Sequence, residues 1–119
     1  MQAVLDGYME RQLVAICGQV ELELLFSARG PAQLRRMRQQ LATSVDYANT
    51  VEDDYQRAMD VMQLLAERGW HRAANVADLV IAAVAERGGL TVLHYDADFE
   101  RIAEVTGQAM EWVVPQGAA

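Results

Sequence analysis

The chain has 119 residues, 52% of them hydrophobic, which suffices for one domain with a core of its own. A formal charge of −7 excludes a general nucleic-acid coat. It leaves room for an enzyme whose acidic surplus sits at a metal site, because bound divalent ions offset such charge. Cys17 is the only cysteine, so no intrachain disulfide can form and a reducing cytoplasm is the expected compartment. The first six residues have neither a basic nor an apolar leader region. The longest apolar run, residues 79–85, falls far short of the ~20 residues that span a bilayer.

In chain order, Val4, Leu5, Tyr8 and Met9 have helical spacing, and residues 4–12 read as the last turns of a helix. The apolar run 13–17, closed by Gly18, predicts a buried strand. Residues 19–29 carry Val20, Leu22, Leu24, Leu25 and Phe26 around most of a helix, with Glu21 and Glu23 among them. Gly30 and Pro31 break it, and Pro31 suits the first turn of a helix running through Leu34, Met37 and Leu41. Residues 44–50 admit either a loop or an edge strand. Thr50, Val51, Glu52 and Asp53 form a start like a capping box, with an acidic first turn suited to the helix dipole. The helix they open keeps Tyr55, Ala58, Met59, Met62, Leu65 and Ala66 on one stripe, which assigns Met59 and Met62 to the core. Gly69 closes it.

Residues 70–74 connect to the stretch on which the rest is organised. Near Asn75 begins an almost wholly apolar helix with Asp78 in its first turn, stopped by Gly88 and Gly89. A short buried strand follows at residues 90–94, expected to be parallel and central, with Asp96 and Asp98 just past its C-terminal end. Phe99, Ile102, Ala103 and Val105 then define a helix ending at Gly107. Residues 110–114 form a last strand, stopped by Pro115. With no repeat and no linker, this alternation implies a single three-layer α/β domain.

Ligands of open α/β sheets bind beyond the carboxyl ends of the strands. Carboxylates gathered there repel one another unless a cation lies between them. Taken singly, Asp78 is a helix-start carboxylate supporting an Asn75 cap, Asp96 an N-cap and Asp98 a dipole partner. All three adjoining one strand end favours a metal site. Oxygen-only ligands without Cys or His suit Mg2+ or Mn2+. Glu21 and Glu23 are two apart, so on a helix only one can enter the cleft, and periodicity does not choose between them. Arg29, Arg35, Arg36 and Arg38 form the one basic cluster, by default a solvated helix face and otherwise a phosphate contact. Trp112, Val113 and Val114, with the methionine and aromatic stripes, leave more apolar surface than a monomer covers, which predicts a homodimer.

Asp78-Leu79-Val80-Ile81-Ala82-Ala83, then Gly89-Leu90 and Val92-Leu93-His94-Tyr95-Asp96-Ala97-Asp98-Phe99 with Ile102-Ala103, resembles the C-terminal signature of PIN-domain ribonucleases. Within that family it is most similar to the VapC toxins of bacterial toxin–antitoxin modules. Glu23-Leu24-Leu25-Phe26-Ser27-Ala28-Arg29 is similar to the segment carrying the family's first-helix glutamate, with Cys17-Gly18 before it. The likeness extends to Glu111-Trp112-Val113-Val114. It implies a PIN-like domain with a central parallel sheet flanked by helices. The activity implied is that of a Mg2+- or Mn2+-dependent endoribonuclease with Glu23, Asp78, Asp96 and Asp98 as its catalytic and metal-binding residues. It also implies an antitoxin whose tail fills the cleft.

The family's opening strand, apolar-apolar-Asp-x-Ser, has only a superficial counterpart in Val4-Leu5-Asp6-Gly7. A parallel crossover takes roughly 10–12 residues or more, and a handful separate Asp6 from Val14, so about two dozen N-terminal residues of the family pattern are expected to be missing. On that expectation the chain as it stands is a poor nuclease. Its rivals are a catalytically inactive PIN-like module retaining dimerisation and antitoxin-like peptide binding, and a Mg2+-dependent hydrolase of small phosphate esters.

Overall fold

A computed structural model describes residues 15–94 and 97–112, apart from the side chains of Leu93, His94 and Trp112. The helix expected at residues 4–12 and the strand end at Val113 and Val114 lie outside the described residues. The chain forms two compact units, Met1–Asn49 and Thr50–Ala119.

In the first unit, β1 (Ala15–Ile16) leads through α1 (Gly18–Phe26) and α2 (Pro31–Ser44) to β2 (Asp46–Tyr47). The two strands are parallel, with Ala15 opposite Asp46 and Ile16 opposite Tyr47, and Ala48 N–H extends the ladder to Ile16 C=O at 2.8 Å. The ambiguous segment after Ser44 therefore contains a strand. Gly18 opens α1 where a Cβ would stand 2.9 Å from the Tyr47 hydroxyl, so its lack of a side chain permits the close approach. Pro31 occupies the start of α2, where its missing N–H costs no hydrogen bond.

The second unit comprises α3 (Glu52–Glu67), α4 (Val76–Arg87), β3 (Val92–His94), α5 (Asp98–Thr106) and β4 (Met110–Trp112). β3 and β4 pair in parallel, from Val92 opposite Met110 to His94 opposite Trp112, with α5 as the crossover. Two expectations for α3 need correction. Its N-cap is Val51, whose side chain has no hydrogen-bonding group. The closing contact is made one residue later than expected, by Asp54 Oδ2 accepting from Val51 N–H at 2.9 Å. The buried stripe is Asp54, Ala58, Val61 and Leu65, whereas Met59 is 52% exposed and Met62 is half-buried against the core. The spacing 54, 58, 61, 65 repeats at a helical period, and Met59 lies one residue, about 100°, off that face.

Both α3 and α4 end in a glycine of positive φ, Gly69 at 75° and Gly89 at 65°. In each, the next residue donates back into the last turn: Trp70 N–H to Leu65 C=O and Leu90 N–H to Ala85 C=O, both 2.8 Å. α4 buries Asp78, Leu79, Val80 and Ala82 through Ala85, as its apolar sequence predicts. Alanines on that helix let α3 and α5 approach closely. Leu65 and Ile102, both fully buried, meet Leu79, Val92 and Phe99 in the core of this unit. A forked pair, Arg57 Nε and Nη2 on Glu86 Oε1 and Oε2 at 2.7 and 3.2 Å, ties α3 to α4 from outside.

Candidate metal centre

Asp78 is the third residue of α4. Asn75 caps the helix, its Oδ1 accepting from Asp78 N–H at 2.9 Å. The cap thus fixes the backbone of Asp78 in the first turn of the helix. That carboxylate belongs to a residue only 8% exposed, with buried Leu79 and Val80 following it. A buried carboxylate is tolerated where it is paired or binds a cation, and the positive pole of α4 lowers the cost of its charge.

Among the described residues the other buried charged group is Asp54. Asp54 Oδ1 accepts from Arg87 Nε at 2.9 Å and Oδ2 from Val51 N–H. Burial is the largest influence and pushes its pKa up. The opposing hydrogen bonds from Arg87 and Val51, with the guanidinium charge, outweigh it and hold the carboxyl below its ordinary value. Asp54 is therefore a structural carboxylate with its donors in place.

Asp98 is the first residue of α5, half-buried, four positions beyond the end of β3. It and Asp78 stand at the N-terminal ends of two helices of the same unit. Asp96 lies outside the described residues. Glu23 belongs to the first unit, where it is exposed on α1 and accepts from Gln19 Nε2 at 3.4 Å, while Glu21 is half-buried. Among the described residues of either unit, no three His, Cys, Asp or Glu side chains form a group able to hold a metal ion. What Asp78 and Asp98 offer is a donor set of carboxylate oxygens, which fits a hard divalent cation.

Arg29, Arg35, Arg36 and Arg38 are exposed on or beside α2 and form no ion pair among the described residues. Reading the sequence overlooked a second basic group, Arg68 and Arg101 over the ring of Trp70 in the second unit. Its only local signal is an arginine two residues before a tryptophan, because Arg101 arrives from another helix.

Residues 3–105 match the family model described as PIN domain. Ribonuclease VapC21 of Mycobacterium tuberculosis (strain ATCC 25618 / H37Rv) is 44% identical over 115 residues, covering 97% of this chain and 83% of that protein. Ribonuclease VapC2 of Mycobacterium tuberculosis (strain CDC 1551 / Oshkosh) is 47% identical over 106 residues, covering 87% and 74%. Among solved structures, VapBC2 from Rickettsia felis bound to a DNA fragment from its promoter superposes with a TM-score of 0.72 at 16% identity, covering 93% of this chain and 83% of the other, a likeness of fold alone. VapBC-5 from Mycobacterium tuberculosis, a member of the VapBC family of toxin–antitoxin systems, gives 0.54 at 28% identity, covering 80% and 75%.

Proposed function

The chain belongs to the PIN-domain family, among its VapC members, and from that premise we propose that it is the ribonuclease toxin of a toxin–antitoxin pair. The observation that carries the reading is Asp78, a carboxylate buried at the first turn of an apolar helix where the family signature places an acid. The names of the relatives above 40% identity supply the reaction, and the VapBC complexes supply the partner, a VapB-like antitoxin. On this reading residues 1–119 are one PIN-like domain, a reading supported by a family model that spans parts of both units. A second copy of the chain completes the assembly, and the bacterial cytoplasm is its place of action. No described helix is long and apolar enough to cross a membrane.

Asp78, Asp96 and Asp98, with Glu23, would hold Mg2+ or Mn2+. Bound there, such an ion supplies an activated water and charge neutralisation at the phosphoryl oxygens. The protein's part is positional. α4 fixes the backbone of Asp78 by its Asn75 cap, and burial of the residue restricts its side chain. α5 presents Asp98 at its first residue, and Arg29, Arg35 and Arg36 offer exposed guanidiniums to RNA phosphates.

Total RNA incubated in millimolar Mg2+ or Mn2+ with the protein carrying the family's apolar-apolar-Asp-x-Ser strand at its N-terminus is expected to be cut, and to be spared in a chelator. Asp78→Asn keeps the side chain's shape and removes its charge, so cleavage should disappear while far-UV circular dichroism is unchanged. Undiminished cleavage by Asp78→Asn overturns the catalytic assignment. Cleavage indifferent to the chelator overturns the metal.

A further inference from the structure

Three residues from different places in the second unit meet on one aromatic ring. Arg68 caps the C-terminus of α3, Trp70 follows the glycine that reverses the chain, and Arg101 is the fourth residue of α5. The guanidinium carbon of Arg101 stands 4.3 Å from the indole centroid and that of Arg68 stands 5.4 Å away. Trp70 is half-buried and packed on the core, so the unit's own interior sets the position of the ring. Both arginines are exposed.

Two like charges are drawn to one place in a chain with a net charge of −7, and guanidiniums over an aromatic face keep their N–H edges available to another partner. Arg101 forms no ion pair among the described residues. Arg68 has a loose one, Nη1 to Glu104 Oε2 at 3.6 Å, between side chains that are half exposed, the kind of pair that solvent and salt readily screen. An incoming anion can displace it. Planar guanidinium donors match the oxygens of a phosphate.

Position narrows the choice of anion. Asp98 and Arg101 are three apart on α5 and share a face of that helix. Trp70 begins the connector that ends at Asn75, the cap of the helix carrying Asp78. The cluster thus draws on α5, which also presents Asp98, and on the end of α3 and the connector that leads to the helix carrying Asp78. We propose that Arg68 and Arg101, held by Trp70, bind a backbone phosphate of the RNA strand at a point other than the one cleaved. This rests on the ribonuclease reading and adds a substrate-binding site to it. Phosphate contacts fix position and carry no sequence information, so the site serves to hold the strand rather than to choose it. Trp70 is a positioning residue, because its ring holds the guanidiniums.

The test is binding of a fluorescently labelled single-stranded RNA, followed by anisotropy in a metal chelator across a salt series. Each phosphate neutralised on a single strand contributes about 0.7 to the slope of log affinity against log salt, so R68Q/R101Q, which gives up the grip on one phosphate, should flatten it by ~0.7. Affinity at low salt should fall on the order of tenfold, alike for RNAs of different sequence. R68K/R101K keeps the charge without the planar fork and should recover part of the loss. In cleavage assays with metal, the glutamine variant should show a raised KM at little changed kcat. Unchanged affinity and slope in R68Q/R101Q, with cleavage intact, overturn the phosphate site and leave the ribonuclease reading standing. Failure of the unsubstituted protein to bind RNA overturns both. Loss of antitoxin binding with RNA binding unaltered assigns the surface to a protein and overturns the proposal.

Discussion

Asp54 and Asp78 are both buried, yet their surroundings give them different work. Asp54 accepts from Arg87 across a helix–helix contact and from Val51 at the start of its own helix, and Asp78 lies in the first turn of α4 behind the Asn75 cap. The sign of the Asp54 contribution follows from its lowered pKa. A carboxyl more acidic in the folded state than in the unfolded chain stabilises the fold above the unfolded value near 3.8, and that contribution is lost as pH falls through the folded value. Asp54→Asn should therefore lower stability at pH 7 by about 1–2 kcal/mol, less than for a wholly buried pair because Arg87 can turn to water. The gap between the two proteins should close on acidification below about pH 4. Urea midpoints at pH 7 and in that acid range measure it, and a gap independent of pH would show that Asp54 acts through packing alone. Asp78 was legible in the sequence because acid at a helix start, followed by an apolar run, is a local pattern. Asp54 was not, because its charge partner is 33 residues away and its hydrogen bond to Val51 depends on where the helix begins.

At the scale of elements, α3 and α4 are fixed by their ends as much as by their apolar faces. Gly89 has a φ of 65°, and a Cβ built there would meet nothing within 4 Å. Any loss on substitution is then backbone strain, since a residue with a Cβ pays roughly 1–2 kcal/mol in the left-handed region. The smaller entropy of an unfolded alanine chain offsets some of it, so Gly89→Ala should cost about 1 kcal/mol. Gly30 is the matched control: it also has open space around it, but its φ of 176° is extended backbone. Gly30→Ala is expected to be neutral or slightly stabilising by thermal melting. An equal loss at both positions would mean that the turn after α4 exerts no special demand. The glycine stops, the proline start of α2 and the apolar α4 were all legible, because each is written within a few neighbouring residues. β2 was not, since a strand of two residues, Asp46 and Tyr47, is too short to display an alternating pattern. The stripe on α3 was misassigned because Met59 and Val61 are both apolar, and only the packing of α4 and α5 decides which face turns inward.

For the whole molecule, charge sets the terms. A net charge of −7 works against compaction through self-repulsion. The family was legible from short motifs in the right order, because a metal site needs its acids at fixed points of a fold. Which acids share a site was not legible, since Glu23 belongs to one unit, Asp78 and Asp98 belong to the other, and Asp96 lies outside the described residues. Thermal stability offers a readout that does not depend on cleavage. An ion that binds the folded protein and not the unfolded chain stabilises it by about 2.7 kcal/mol at a hundredfold excess over its Kd. For a domain of this size that is a rise in Tm of about 10 °C, at roughly 4 °C per kcal/mol. Millimolar Mn2+ or Mg2+ should therefore raise the melting temperature above that in sodium chloride of equal ionic strength, and a chelator should reverse the rise. Asp78→Asn should abolish the shift. Asp54→Asn should retain it from a lower starting point, because that carboxylate is already satisfied by Arg87 and Val51. If Asp78→Asn keeps the full shift, the ions act on the acidic surface at large and Asp78 does not hold one.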